Sequence, residues 1–166
     1  MLPVVVGTNP ERTHWLKDCL TSIRATTRHR RVHVHRTGGF ELTALRAGVT
    51  RYRRFLFLQD SCEVLDPRFW DVIDATEPAW LFGGPPMYLG VYDSIDLEPV
   101  IRDAPANPSK DDAIRWESEL GSRLHHPVLW PDVHDGTAHH EHHHGRDNLV
   151  LQNRYLRKWK GNWGQL

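Results

Sequence analysis

The chain has 166 residues, enough for one domain with a hydrophobic core of its own. Its 21 basic residues balance 21 acidic ones, so the net charge does not favour binding to nucleic acid or to an anionic membrane. Two cysteines do not form a disulfide framework, and no apolar run approaches the roughly 20 residues that span a bilayer. We therefore expect a cytoplasmic protein without a membrane span.

Strand and helix patterns alternate through the first half of the chain. Short apolar, β-branched runs predict strands, and apolar residues three and four positions apart predict helices. The predicted strands are residues 4–6, 31–35 and 55–58, and the predicted helices are residues 11–24 and 40–49. This βαβαβ order predicts parallel strands joined by right-handed crossovers.

The second half is more mixed. Asp66 and Pro67 open a further helix, since they match the cap and first position of a helix. Strands are predicted at residues 79–82, 87–92 and 127–130, and a helix at 113–124. Residues 93–110 are rich in Pro and Asp and predict a mobile loop between residues 1–92 and 111–166. The whole chain is expected to form one α/β domain, a three-layer α/β/α sandwich with a mostly parallel sheet.

Polar side chains follow the predicted strands where each one ends. They are Thr8 and Asn9, then Thr37, then Asp60 and Glu63. Because ligands of open α/β sheets bind beyond the carboxyl ends of the strands, these residues predict a binding site at one sheet edge. The Asp60 carboxylate suits a divalent cation bound against a phosphate. The alternative is a strand that ends at a polar turn, with Asp60 as a cap.

Motifs of several other enzyme classes are absent from the sequence. The turn at residues 7–10 lacks the glycine pair of the dinucleotide fingerprint, and no phosphate-binding loop with Gly-Lys-Ser or Gly-Lys-Thr occurs. A Gly-x-Ser-x-Gly nucleophile elbow is missing as well. Dehydrogenase, P-loop kinase and hydrolase functions therefore lose most of their support.

The order of the polar residues resembles the nucleotide-sugar half of a family-2 glycosyltransferase with the GT-A fold. Residues 57–61, Phe-Leu-Gln-Asp-Ser, occupy the place of the family's Asp-x-Asp motif. Residues 38–48 look like the glycine-containing loop and helix before that motif, and residues 83–86, Gly-Gly-Pro-Pro, like the loop beneath the donor sugar. The resemblance covers residues 3–150, as order and spacing more than as identity.

This resemblance implies a role for individual residues. The nucleotide-sugar donor, a UDP- or GDP-sugar, would contact Thr8, Asn9, Thr37, Arg46, Gln59, Asp60, Gly83 and Gly84. The helix at residues 115–124 matches the acidic helix that supplies the family's catalytic base, which gives that role to Glu117. A histidine commonly completes the metal shell, so Mn²⁺ or Mg²⁺ would bind Asp60 together with one of His134, His142 and His144.

The motif departs from the family at two positions. Gln59 and Ser61 stand where the family has aspartates, and neither side chain brings a charge. Three consequences stay open: Asp60 binds the metal with a histidine, metal binding is weak, or the protein does not depend on a metal.

Two C-terminal segments have competing interpretations. Residues 134–144 are rich in histidine and predict either a metal ligand or a flexible polar loop with incidental metal affinity. The tail at residues 154–163 interleaves basic and aromatic residues, which suits stacking on nucleic acid or sugars. Its alternatives are packing of Tyr155, Trp159 and Trp163 against the core, or a basic element that closes over the donor diphosphate.

The leading hypothesis is a hexosyltransferase-like enzyme, metal-assisted and inverting. Its acceptor is unidentified: a glycan, a protein, a lipid carrier or a modified nucleobase would fit, and a homo-oligomer is left open. A catalytically silent nucleotide- or metal-binding module is the alternative from another class. A nucleotidyltransferase is disfavoured because the Gly-x-Gly-Thr-Arg-like loop is missing, and a His-rich metal-binding protein without catalysis is a further option.

Overall fold

A computed structural model describes residues 1–36, 38, 40–82, 88–131 and 149–159 of the chain. The strands in these ranges are β1 (Val4–Thr8), β2 (Val32–Arg36), β3 (Arg54–Gln59), β4 (Cys62–Val64), β5 (Ala79–Phe82), β6 (Gly90–Asp93), β7 (Val128–Trp130), β8 (Leu149–Gln152) and β9 (Leu156–Trp159). The helices are α1 (Thr13–Thr26), α2 (Phe40–Arg51), α3 (Phe69–Ala75), α4 (Ser94–Arg102) and α5 (Lys110–Leu124).

The larger sheet contains six strands in the order β2-β1-β3-β6-β5-β7. β1 pairs in parallel with β2 and β3, and β5 pairs in parallel with β7. β6 runs antiparallel to both of its neighbours, β3 and β5. The predictions of an α/β fold and of a mostly parallel sheet are therefore confirmed.

Both faces of the central strands are buried, because helices cover the sheet on both sides. Val4, Val6, Leu56 and Leu58 pack with α1 and α3 on one face. The alternate residues of the same strands, Val5, Phe55 and Phe57, pack with α2, α4 and α5 on the other. Continuous apolar runs are typical of parallel strands covered on both faces. The arrangement is compatible with a three-layer α/β/α sandwich.

The prediction of an irregular loop over residues 93–110 is wrong for residues 94–102, which form α4. The Asp93 carboxylate caps this helix by accepting a hydrogen bond from the Ile95 N–H at 2.9 Å. Leu97, Val100 and Ile101 are buried. Pro99 lies on the exposed side, where its ring and missing N–H disturb the helix least. The helical spacing of these apolar residues is visible in the sequence, but the high Pro and Asp content of the segment favoured a loop.

A second sheet, of three strands in the order β4-β9-β8, was not predicted. β4 pairs antiparallel with β9, which brings the C-terminal tail against the residues that follow Asp60. Glu63 fixes this pairing: it accepts hydrogen bonds from Arg157 at 2.8 Å and from the Trp159 indole N–H at 2.9 Å. Tyr155 is 8% exposed and packs in the core, as the packing interpretation expects of this residue, whereas Trp163 lies outside the described residues.

None of the helices in the described residues is long and apolar enough to cross a membrane.

Candidate functional site

The strand order of the larger sheet reverses at β1. The chain passes from β1 through α1 to β2 on one side, then through α2 to β3 on the other side of β1. Such a switch point opens a crevice at the carboxyl ends of the two strands, where ligands of open α/β sheets bind. Thr8 ends β1 and Gln59 ends β3, and Gly7 and Gln59 are partners in the parallel register.

Asp60 lies in this crevice and is 1% exposed. Its carboxylate accepts a hydrogen bond from the Thr8 hydroxyl at 2.7 Å and forms an ion pair with the Arg12 guanidinium at 2.9 Å. Its backbone N–H donates to the Gly7 carbonyl at 3.1 Å. Burial raises the pKa of Asp60, although Arg12 and Thr8 both stabilise the carboxylate.

The turn between β1 and α1 brings Arg12 back over the strand ends. The Asn9 side chain accepts a hydrogen bond from the Glu11 N–H at 3.1 Å, and the Asn9 carbonyl accepts one from the Arg12 N–H at 3.0 Å. Arg12 is 7% exposed, and burial lowers the pKa of its guanidinium. A buried arginine beside a buried carboxylate is expected, since either charge alone would be costly to desolvate.

Gln59 and Ser61, which replace the expected aspartates, each have a charged partner. The Gln59 side-chain amide donates to the Glu41 carboxylate at 2.8 Å. Ser61 accepts a hydrogen bond from the Lys158 ammonium at 3.2 Å. Glu41 and Lys158 are each 5% exposed. Burial raises the pKa of Glu41 and lowers the pKa of Lys158, which opposes the charged form of both groups.

Glu117 lies on α5 between the buried residue Trp116 and exposed positions, and is itself half-buried. Burial, followed by the charge of Glu41, raises the pKa of Glu117 to about 7, and the charge of Lys158 opposes this shift. A carboxylate with this pKa exchanges a proton readily at neutral pH, as a general base requires. Because the charges of Glu41 and Lys158 both act on it, Glu117 interacts electrostatically with the residues at the strand ends.

These residues form a buried polar cluster of two cations, two carboxylates and three uncharged side chains, and the charges of its Glu41 and Lys158 act on Glu117. Its members are Thr8, Arg12, Glu41, Gln59, Asp60, Ser61 and Lys158. Chemically, the cations can bind an anion, and Glu117 can accept a proton from a hydroxyl group.

Of the other expected residues that the structure describes, Asn9 reaches the site and Arg46 does not. Arg46 donates its hydrogen bonds to the carbonyls of Ile101, Ala104 and Pro105 at the end of α4, so its expected contact with a nucleotide finds no support. Asn9 takes part through the turn described above. Thr37, Gly83, Gly84, His134, His142 and His144 lie outside the described residues.

The described residues do not fit a divalent cation. They contain no group of three or more His, Cys, Asp or Glu side chains that could hold a metal ion. Asp60, the expected ligand, is instead paired with Arg12, and a metal would bring a second positive charge to the same carboxylate. Mn²⁺ or Mg²⁺ stays a prediction that depends on the histidines at residues 134–144.

Three members of the site were not predicted from the sequence: Arg12, Glu41 and Lys158. Glu41 shares one helix face with Ala44, Leu45 and Gly48, all buried, so helical spacing already marked it as a buried carboxylate. Leu156 and Lys158 share the buried face of β9 by the two-residue period of a strand. Arg12 had no comparable signal, because its position depends on the turn.

Comparisons with protein-family models, with curated proteins and with solved structures find no match to this chain. The fold and the buried polar cluster are therefore the features that bear on function, and the glycosyltransferase resemblance stays an interpretation of the sequence.

We predict that Arg12→Met lowers the free energy of unfolding by about 3–5 kcal/mol, because it leaves the buried Asp60 charge without its ion pair. The Arg12→Met/Asp60→Asn double variant recovers part of this loss. Urea denaturation of both variants measures it. Arg68→Met, which removes a solvent-exposed ion pair with Asp66, is the matched control and should change stability little. Equal losses in Arg12→Met and Arg68→Met would show that the buried pair is not formed.

The raised pKa of Glu117 predicts a pH-dependent stability. Between pH 4.5, the ordinary pKa, and about 7, the folded state binds this proton more tightly than the unfolded state, so its contribution to stability is lost as the pH rises. Glu117→Gln should therefore gain about 1–3 kcal/mol over the wild type between pH 4.5 and 8. Denaturation at several pH values measures the difference, with Glu119→Gln at an exposed position of α5 as the control. A difference that stays constant with pH would contradict the burial of Glu117.

Proposed function

We propose that the chain is a glycosyltransferase of the GT-A type that transfers a sugar from a nucleoside-diphosphate sugar to an acceptor hydroxyl group. The observation that carries the proposal is the buried polar cluster at the switch point of the sheet, whose Glu41 and Lys158 charges act on the half-buried Glu117. The UDP- or GDP-sugar, the inverting outcome and the acceptor stay predictions of the sequence interpretation.

Arg12 and Lys158 are suited to bind the donor diphosphate. A guanidinium matches the geometry of phosphate oxygens, and a lysine ammonium adds a compact positive charge. Both groups are desolvated, which strengthens their attraction for an anion relative to an exposed site. The diphosphate would also raise further the already raised pKa values of Asp60 and Glu41. Proton uptake by these carboxylates would weaken their attraction for the two cations, which strengthens the attraction of the cations for the ligand.

Glu117 is suited to the proton transfer. In the proposed reaction, the Glu117 carboxylate takes the proton of the acceptor hydroxyl group as the acceptor oxygen forms a bond to the anomeric carbon. The bond from that carbon to the diphosphate oxygen breaks, and the diphosphate leaves with the electron pair. Arg12 and Lys158 neutralise the leaving group. A single displacement of this kind inverts the configuration of the anomeric carbon.

The second candidate is a catalytically silent module that binds a nucleotide. It is favoured by the hydrogen bonds that engage Gln59 and Ser61 with Glu41 and Lys158, and by the 1% exposure of Asp60. A ligand reaches Asp60 only if the residues that bury it move. In this case nucleotide binding would occur without transfer or hydrolysis of the sugar.

The test is the thermal stability of the protein with UDP, GDP, CDP and their sugars, each with Mn²⁺ and with a chelator. At a hundredfold excess over Kd, a ligand specific for the folded state raises the melting temperature by roughly 5–10 °C. We expect a shift with one nucleoside diphosphate in the wild type and no shift in Lys158→Met. Asp71→Asn, at an exposed position of α3, is the control and should respond like the wild type.

The same measurement on Asp60→Asn separates the two sources of positive charge. If Arg12 and Lys158 bind the diphosphate, Asp60→Asn keeps the shift in the presence of chelator. A shift that requires Mn²⁺ and disappears in Asp60→Asn would instead support a metal held by Asp60. No shift with any nucleotide contradicts the proposal. Release of nucleoside diphosphate from the sugar donor by the wild type, but not by Glu117→Gln, distinguishes the transferase from the silent module.

A further inference from the structure

The neutral net charge of the chain conceals an uneven distribution. Between Arg28 and Arg54 there are eight arginines and a single carboxylate, Glu41, which is buried in the polar cluster. The rest of the chain carries 13 basic residues against 20 acidic ones. The sequence from the end of α1 to the start of β3 is therefore strongly basic, although the whole protein is not.

The fold gathers many of these arginines around one groove. The groove has a volume of about 500 Å³ and lies at the amino ends of β1, β2 and β3. It is lined by His29, Arg31, Arg51, Tyr52, Arg53 and Arg54, together with Met1 and Pro3. We call it the basic groove.

Within the part of the chain that the structure describes, most of the basic side chains of the groove have no acidic partner. Arg31, Arg51 and Arg53 are exposed, and no carboxylate in the described residues forms an ion pair with them. By contrast, Arg30 beside the groove is held by Asp74 at 2.8 Å. Arg54 contacts the exposed Glu77 at 3.5 Å and donates to the Thr76 carbonyl. Three guanidinium groups are thus available to an anion from solution.

We propose that the basic groove binds single-stranded nucleic acid through its phosphates. Several guanidinium groups along one groove match a chain of regularly spaced phosphates, and the aromatic rings of Tyr52 and His29 in the same lining offer surfaces for base stacking. Binding to an anionic membrane is strengthened by apolar side chains beside the cations, which the groove largely lacks. Met1 is the one large hydrophobic residue of the lining that is exposed.

This proposal is independent of the proposed transferase activity. The groove begins at Arg54, at the start of β3, whereas Asp60 follows the end of that strand. At about 3.3 Å per residue, the two sites lie roughly 20 Å apart along the strand. Loss of either activity can therefore be observed without loss of the other.

The test is the fluorescence anisotropy of labelled dT20 and rU20 oligonucleotides, titrated with the full chain at several KCl concentrations. Each phosphate contact contributes about −0.7 to the slope of log K against log [KCl] for a single strand. Arg51→Gln/Arg53→Gln should therefore make this slope about 1.4 units shallower, which corresponds to binding about 25-fold weaker at 0.1 M KCl if the two proteins bind equally at about 1 M KCl. Arg102→Gln/Arg115→Gln, which removes the same charge from exposed positions of α4 and α5, should leave the slope unchanged.

Three results would overturn the proposal. The first is no binding of either oligonucleotide by the wild type at 0.05 M KCl, which is about the low end of the salt range for such complexes. The second is an equal loss in the two double variants, which would show that net charge alone is responsible. The third is binding of anionic phosphatidylserine vesicles, but not of oligonucleotides, through Arg51 and Arg53. Unchanged thermal unfolding of each variant establishes that the effects are local.

Discussion

The ion pair between Arg12 and Asp60 is the interaction on which the site depends. It joins the turn after β1 to the residue after β3, at the point where the strand order reverses. Both groups are almost fully buried, and the attraction between their charges offsets the free-energy cost of removing each charge from water. The Thr8 hydroxyl adds a hydrogen bond to the same carboxylate. Burying two charged groups where two strands end costs desolvation free energy that a neutral turn would not. We therefore assign the pair a function.

The packing of α2 on β3 places Glu41 at the site. Gly48 allows this close approach, since a Cβ atom there would lie 2.5 Å from the Phe55 ring. The same packing holds Glu41 against Gln59, and the small sheet holds Lys158 against Ser61. Each position that departs from the glycosyltransferase motif thus has a charged partner from another element. The positions of Lys158 at Ser61 and of Arg12 at Asp60 give a physical reason to consider basic residues, in place of a metal, as the partners of a diphosphate.

Much of the fold could be predicted because its signals are local. The apolar runs of β1 and β3 and the helical spacing in α1 and α2 are visible in the sequence. Asp60 could be selected because it follows a buried strand, and Glu117 was selected through the family resemblance. Arg12 and Lys158 could not be selected, because they reach the site through a turn and through the pairing of β4 with β9. The small sheet joins segments about 90 residues apart, and such long-range pairing leaves little local trace. The segment of α4 was expected to be a loop, although its apolar residues have helical spacing in the sequence.

A ¹H–¹⁵N correlation spectrum of the labelled protein, titrated with the nucleoside diphosphate alone, tests directly whether the donor binds at the carboxyl ends of β1 and β3. We predict that the amide signals of Thr8, Arg12 and residues 59–61 shift with a common Kd, while those of Arg31 and residues 51–54 do not. Shifts confined to Arg31 and residues 51–54 would show that the nucleotide binds the basic groove instead. That result, or a spectrum without shifts, would contradict a donor site at the carboxyl ends of β1 and β3.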